Sequence, residues 1–192
     1  WAIMSYLGRL SYNYESKYLL SMNIRADGSS KLAPSGRWGY FPSVSAAWRI
    51  SSEEFMSDLT WLNDLKIRAG WGQTGNQDGL GDYAYLERYD FNRIEWWKTG
   101  QADAVPTYSQ VSLSSQDLTW ETTTQSNIGF DAMLLHNRLT INADYYFKRT
   151  RNMLMWVTLP AGSAAVSSIQ RNEGEMTNQG IELSLSSKNL VG

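Results

Sequence analysis

Two stretches of the chain alternate apolar and other residues so regularly that both are predicted to be β-strands. Between positions 40 and 50 one set of alternate residues is Tyr40, Pro42, Val44, Ala46, Trp48 and Ile50. Between positions 65 and 72 the corresponding set is Leu65, Ile67, Ala69 and Trp71. Side chains of a strand point alternately to its two faces. Each stretch therefore predicts a strand with one apolar face and one small or polar face.

Five further segments alternate in the same way and predict strands at 5–14, 18–25, 119–134, 139–149 and 180–187. Their connections are short at 15–17 and 135–138, intermediate at 51–64, and long at 26–39, 73–118 and 150–179. Outer-membrane barrels place short turns on the periplasmic side and long loops on the extracellular side. Strands of about 10 residues, tilted by about 45°, also span an apolar band about 25 Å tall. The predicted fold is all-β, an antiparallel up-and-down transmembrane β-barrel wall of about seven strands.

Charged residues inside the predicted strands fall on the less apolar face, except Arg149, which lies at a strand end where a long side chain can reach the lipid headgroups. Strands with two charges test this rule independently, and the pair Lys66 and Arg68 obeys it, as does the pair Asp144 and Lys148. A charge that faces lipid at the bilayer midplane costs about 2 to 4 kcal/mol, which explains the pattern. The residues predicted to face the lumen of the barrel are Arg9, Arg49, Lys66, Arg68, Asp131, Asp144 and Lys148.

The alternation by itself also fits a soluble β-sandwich, whose apolar face would form the core. Aromatic residues at strand ends favour the barrel, because membrane barrels carry aromatic girdles at both interfaces. These residues are Tyr6, Tyr14, Tyr18, Tyr40, Trp71, Trp120 and Phe147. The alternative to the barrel is a soluble all-β module that binds glycans through aromatic residues in its loops.

The composition argues against several other classes of protein. Cysteine is absent, and the single histidine, His136, lies in a predicted turn, so common zinc sites and Ser-His or Cys-His nucleophiles are missing. A net charge of -2 provides no basic face for nucleic acid. We therefore predict no enzymatic activity, no cofactor and no nucleic-acid partner. Oxygen-bearing residues at 76–82 fit either a calcium site or a turn held by Asx hydrogen bonds.

The long connection at 73–118 is rich in aromatic residues. Exposed rings beside polar groups can bind sugars or peptides. The same rings could instead form a private core that keeps a long loop compact. The ligand-binding hypothesis assigns substrate contacts to Tyr89, Trp96, Trp97 and Tyr108.

Long segments of the chain also resemble one protein family. The stretches RWGYFPSVSAAWRIS and WLNDLKIRAGWGQTGNQ, with LTWETTTQSNIGFDAMLLHNRLTINADYYFKRTRNML, resemble the barrel of the SusC/RagA-type TonB-linked outer-membrane transporters of Bacteroidetes. The resemblance covers nearly the whole chain. It implies a barrel of about 22 strands with a plug inside it and a TonB-contacting segment before the plug. It further implies a SusD-like surface lipoprotein as a lid, and import of oligosaccharides or peptides driven by TonB, ExbB and ExbD.

On this resemblance, residues 1–192 are expected to be a partial barrel domain without the plug. The connections at 26–39, 73–118 and 150–179 are expected to be extracellular loops. Seven strands are too few to close a barrel of this size, and an open edge in lipid would leave unpaired backbone groups that cost several kcal/mol each. The chain is therefore expected to be one segment of the barrel wall. The implied location is the cell outer membrane. TonB, ExbB and ExbD would act through parts that this chain lacks.

Overall fold

A computed structural model of the chain describes residues 1–96, 105–162 and 166–189. Seven antiparallel strands form one sheet, and each strand pairs with its neighbours in chain order. They are β1 (Ile3–Tyr14), β2 (Tyr18–Ser29), β3 (Trp38–Arg49), β4 (Leu62–Asn76), β7 (Glu121–Leu134), β8 (Leu139–Arg151) and β11 (Glu175–Ser187). Two separate ribbons pair β5 (Arg88–Trp96) with β6 (Val105–Ser112), and β9 (Leu154–Thr158) with β10 (Ser168–Asn172). The predicted all-β, up-and-down architecture with seven wall strands is confirmed.

The described ranges hold two 3₁₀ helices, Ile50–Ser52 and Glu54–Met56, both in the connection between β3 and β4. No helix among these residues has the length and apolarity that a membrane span requires.

The predicted bounds of the long loops are wrong. β2 continues to Ser29, β4 to Asn76 and β8 to Arg151, so the loops predicted at 26–39, 73–118 and 150–179 begin too early. Backbone pairing continues into these predicted loops through residues such as Gly75, which pairs with Thr122 and has no part in an apolar alternation. The two longest connections also contain the ribbons. The ribbon β5–β6 escaped prediction because shifts in its register break the alternation that marks a strand.

The strand register keeps the two faces of the sheet separate. One row across the sheet consists of Tyr14, Tyr18, Trp48, Ile67, Phe130, Ala143 and Leu183. Trp48, Ile67 and Phe130 in this row are 38%, 38% and 39% exposed. A sandwich would bury such side chains between two sheets. The described structure instead leaves the apolar face of the sheet open, as a lipid-facing wall requires.

The end of the sheet with the short connections is fastened by backbone and side-chain contacts. Arg49 N donates to Lys17 O at 2.8 Å, which joins the first short connection to the last residue of β3. Glu53 accepts hydrogen bonds from Tyr18 Oη at 2.7 Å and from Trp48 Nε1 at 3.0 Å. The hydrogen bond from Tyr18, followed by that from Trp48, lowers the pKa of the Glu53 carboxyl. A charged anchor therefore holds the stacked rings of Tyr18 and Trp48 at the edge of the apolar face.

A small hydrophobic core lies at the opposite end, beneath the long connections. Its residues are Leu32, Phe41, Leu80, Leu118 and Trp120. Phe41 lies against Gly39 and Gly75, where any added Cβ would overlap its ring. Glycine at both positions therefore makes room for an aromatic ring that joins β3, β4 and three connections.

The prediction that Trp120 belongs to the exposed aromatic girdle is wrong. Trp120 is only 6% exposed, packs edge-on against Phe41 with ring centroids 5.5 Å apart, and donates from Nε1 to Arg37 O at 3.0 Å. It precedes β7, which begins at Glu121, so strand alternation does not set its side. The direction of the Trp120 side chain is set instead by burial of its large ring, whose N–H has a hydrogen-bond acceptor. The other six predicted girdle residues are exposed.

Candidate functional site

The polar face of the sheet carries four interacting charged side chains, Lys66, Arg68, Asp131 and Asp144, named here the ionic cluster. Arg68 Nη2 donates to Asp131 Oδ1 at 2.8 Å and to Asp144 Oδ2 at 2.9 Å. Lys66 Nζ lies 2.9 Å from Asp131 Oδ2. All four side chains are partly exposed. The cluster therefore links β4, β7 and β8 through charge-assisted hydrogen bonds on one face.

A glycine makes the ionic cluster possible. Gly129 stands opposite Arg68 on one side and opposite Asp144 on the other. A Cβ at Gly129 would overlap Asp144 Oδ1. The missing side chain thus leaves the space in which the Arg68 guanidinium and the Asp144 carboxylate meet.

Replacement of Arg68 tests how much the ionic cluster contributes to the stability of the protein. We expect Arg68→Met in the full-length protein to lower the free energy of unfolding by about 1 to 3 kcal/mol, because Asp144 loses its partner. Adding Asp144→Asn should recover part of this loss, since it removes the unpaired charge. Denaturant unfolding of the single and double variants measures both effects. A double variant whose loss equals the sum of the two single losses would contradict the coupling.

The other predicted wall residues also lie on the polar face but outside the cluster. Arg9 Nε donates to Ser11 Oγ at 3.3 Å, and Arg49 Nε lies 3.4 Å from Asp64 Oδ1. Lys148 makes no ion pair within the described part of the chain and lines a groove beside Arg68. The structure thus brings four of the seven predicted wall residues together and leaves three apart.

Two of the grooves on the polar face lie side by side. The first, of about 390 Å³, lies across β2, β3, β4 and β7 and is lined by neutral side chains including Asn23, Ser43, Gln73 and Thr123. The second, of about 430 Å³, is lined by Tyr146, Lys148 and Glu182 beside the ionic cluster. Gln125 and Asn127 line both grooves, so the two are contiguous.

Sequence reasoning missed these amide residues as site candidates. Gln125 and Asn127 carry no charge, so in the sequence they look like ordinary polar positions of an alternating strand. A signal that could have found them is the run of amide and hydroxyl residues on this face of β7, which ends at Gly129.

The aromatic candidates in the 73–118 connection have separate outcomes. Tyr89 and Tyr108 lie on the ribbon β5–β6 and are 60% and 75% exposed, so neither ring belongs to the small core. The hydroxyl of Tyr89 donates to the Glu87 carboxylate, and this hydrogen bond raises the pKa of Tyr89. Trp96 is the last residue of β5. Trp97 lies outside the described residues.

The 76–82 segment forms an Asx turn. Asn76 Oδ1 accepts a hydrogen bond from Asp78 N at 2.9 Å. Gly79 has a φ of 94°, and its carbonyl accepts from Gln170 Nε2 at 2.7 Å. Among residues 1–96, 105–162 and 166–189, no three His, Asp or Glu side chains converge as metal ligands. The turn is therefore held by its own hydrogen bonds and by a contact from β10.

The sheet, its separated faces and its unequal ends are those of a barrel wall, and residues 3–190 match the family described as TonB dependent receptor-like, beta-barrel. The chain belongs to this family. The predicted resemblance is confirmed, and members of the TonB-dependent receptor family are outer-membrane proteins.

Two curated TonB-dependent receptors show how much of such a protein this chain represents. The TonB-dependent receptor SusC of Bacteroides thetaiotaomicron is 38% identical over 189 residues, which cover 98% of this chain and 19% of SusC. The TonB-dependent receptor P39 of Formosa agariphila is 36% identical over 187 residues, covering 97% and 17%. The chain thus spans about a fifth of the length of these relatives. Both relatives are receptors rather than enzymes, in agreement with the prediction.

Solved structures match the same seven-stranded wall. The RagAB peptide importer in its closed-closed state matches 99% of this chain and 20% of its own, with a TM-score of 0.86 and 28% identity. The siderophore receptor PirA from Pseudomonas aeruginosa matches 94% of this chain and 30% of its own, with a TM-score of 0.57 and 14% identity. At this identity the match shows only a shared fold. The seven strands are therefore a SusC/RagA-type barrel segment.

Proposed function

We propose that this chain forms part of the wall of an outer-membrane importer that takes up oligosaccharides or peptides. The observation that carries the proposal is the match of 99% of the chain to the RagAB peptide importer at a TM-score of 0.86. The 38% identity to SusC supports the same class of protein. A soluble glycan-binding module is disfavoured, because the sheet leaves its apolar face open and the relatives are TonB-dependent receptors.

In this proposal the apolar face contacts lipid and the polar face lines a water-filled passage. Strands of outer-membrane barrels alternate apolar residues outward and polar residues inward. The ionic cluster and both grooves lie on the polar face. The lumen-facing wall residues are then Arg9, Arg49, Lys66, Arg68, Asp131, Asp144 and Lys148.

The long connections are the proposed extracellular end, where a SusD-like lipoprotein would close over the barrel. Hydrogen bonds join these connections into one layer: Ser115 Oγ donates to Gln170 O at 3.2 Å, and Asn172 Nδ2 donates to Thr119 O at 2.9 Å. A layer braced in this way offers a defined surface to a partner. TonB, ExbB and ExbD would supply energy through parts of the protein outside this chain.

The exposed rings of the ribbon β5–β6 remain the proposed substrate contacts in this layer. Tyr108 offers most of its ring to solvent, and Tyr89 lies on the paired strand. Trp96 and Trp97, at the end of β5 and beyond it, complete the proposed set of four residues. Aromatic rings beside hydrogen-bonding groups suit sugars and peptides alike.

Uptake by cells tests the proposed function. We expect cells that produce the full-length receptor to accumulate a labelled oligosaccharide or peptide that cells without it do not, and a protonophore should abolish the difference. Tyr108→Ala should lower this uptake several-fold at an unchanged receptor level, since it removes an exposed ring. Phe55→Ala, an exposed ring at the other end of the sheet, is the matched control. Equal accumulation of both ligand classes with and without the receptor would contradict import.

A further inference from the structure

We propose that the second groove binds the two charged ends of a short, extended peptide, an inference that rests on the proposed import function. Lys148 is assigned to the carboxylate end and Glu182 to the ammonium end. Gln125 and Asn127, which pair with Lys148 and Tyr146, are assigned to the peptide backbone near its carboxylate end. All four residues line the same groove of about 430 Å³.

Lys148 and Glu182 are the free charges of this groove. Both are exposed, and neither forms a hydrogen bond or an ion pair through its side chain within residues 1–96, 105–162 and 166–189. Arg68 and Asp144 also line this groove, but they are not free, because they already form an ion pair with each other. The groove therefore offers one cation and one anion to a ligand, while its remaining charges are neutralised by protein.

The strand register sets the distance between the two free charges. Lys148 pairs with Gln125 of β7, and Glu182 pairs with Asp144, four residues before Lys148 on β8. Four strand residues span about 13 Å at about 3.3 Å per residue. An extended peptide advances by the same amount per residue, so about four residues carry its two ends from one charge to the other.

The part of the groove beside Lys148, on β7 and β8, suits a peptide backbone. Gln125 and Asn127 make no side-chain hydrogen bond within the described part of the chain, and each amide can both donate and accept. Tyr146 lies between the charges on β8, with its hydroxyl 2.8 Å from the position a Cβ on Gly180 would take. The ring therefore lies against the wall, because glycine leaves it room, and the groove stays open above it.

The two free charges of the groove favour a peptide over a neutral oligosaccharide as its occupant. A neutral sugar chain can hydrogen-bond to the two amides but leaves Lys148 and Glu182 without counter-charges. A peptide with free ends supplies both counter-charges, and its backbone supplies donors and acceptors for the two amides beside Lys148. The observed arrangement therefore favours the peptide.

Binding of tetra-alanine to the full-length receptor tests the inference. Calorimetry would compare tetra-alanine with free ends, its C-terminal amide, its N-acetyl form and a neutral linear tetrasaccharide. We expect Lys148→Gln to weaken binding of the free-ended peptide about 5- to 10-fold and to leave binding of the C-terminal amide unchanged. Glu182→Gln should do the same for the free-ended peptide and spare the N-acetyl form. Lys188→Gln, at the short-connection end, is the matched control and should change neither.

Three results would overturn the inference. One is an equal effect of Lys148→Gln on the free-ended and amidated peptides, and another is no effect on either. The third is binding of the tetrasaccharide alone, which would leave the import function intact. Absence of energy-dependent uptake for both ligand classes would instead remove the import function and this inference with it.

Discussion

Val44→Arg in the full-length receptor is expected to lower the free energy of unfolding by about 2 to 4 kcal/mol, the cost of a cation facing lipid near the midplane. Val44 lies on the apolar face of β3, four residues from Tyr40 and four from Trp48. Ser45→Arg, one residue farther, should cost less than about 1 kcal/mol, because Ser45 is exposed beside the first groove. The adjacent pair therefore reports directly on which face meets lipid.

Denaturant unfolding of the receptor in lipid vesicles would measure this difference. Val44→Ala serves as a control, since it removes the valine methyl groups without adding a charge. A larger loss for Ser45→Arg than for Val44→Arg would reverse the assignment of the two faces. Such a result would also mean that the face with the two grooves does not line the lumen.

Phe41→Ala is expected to lower the free energy of unfolding by about 3 to 5 kcal/mol, as truncation of a buried phenylalanine does. Phe41 is packed against Trp120 and against the backbone at Gly39 and Gly75. In the described structure no protein layer covers the apolar face of the wall strands. The small core is therefore the main site of side-chain burial. Its loss should loosen the long connections more than the strands.

Two measurements check the Phe41 prediction. Unfolding of the full-length receptor should show the loss in stability, and amide hydrogen exchange should accelerate at 113–120 while exchange within β7 changes little. Phe55→Ala is the matched control, because Phe55 is 69% exposed and should change stability by less than about 0.5 kcal/mol. Equal losses for the two phenylalanines would show that the core does not hold the loops.

The seven strands and their faces could be predicted because both depend on local properties. A period of two along the chain identifies a strand and separates its faces wherever one side avoids water and the other carries charge. Ser45 and Val44 illustrate this, as neighbours assigned to opposite faces from alternation alone. The predicted loop bounds are wrong where that signal stops, since residues such as Gly75 pair in the sheet but carry no alternation.

The amino-acid sequence alone predicts the seven wall strands, the apolar face of each and the family that the chain resembles. The packing of Trp120 against Phe41, and the contact of Arg68 with Asp144, 76 residues away in the chain, are seen only in the folded structure. It also shows that Lys148 and Glu182 share a groove without a partner in the described chain. The physical reason is that alternation acts between neighbours, whereas these contacts depend on the register between strands and on the space that Gly39, Gly75 and Gly129 leave open.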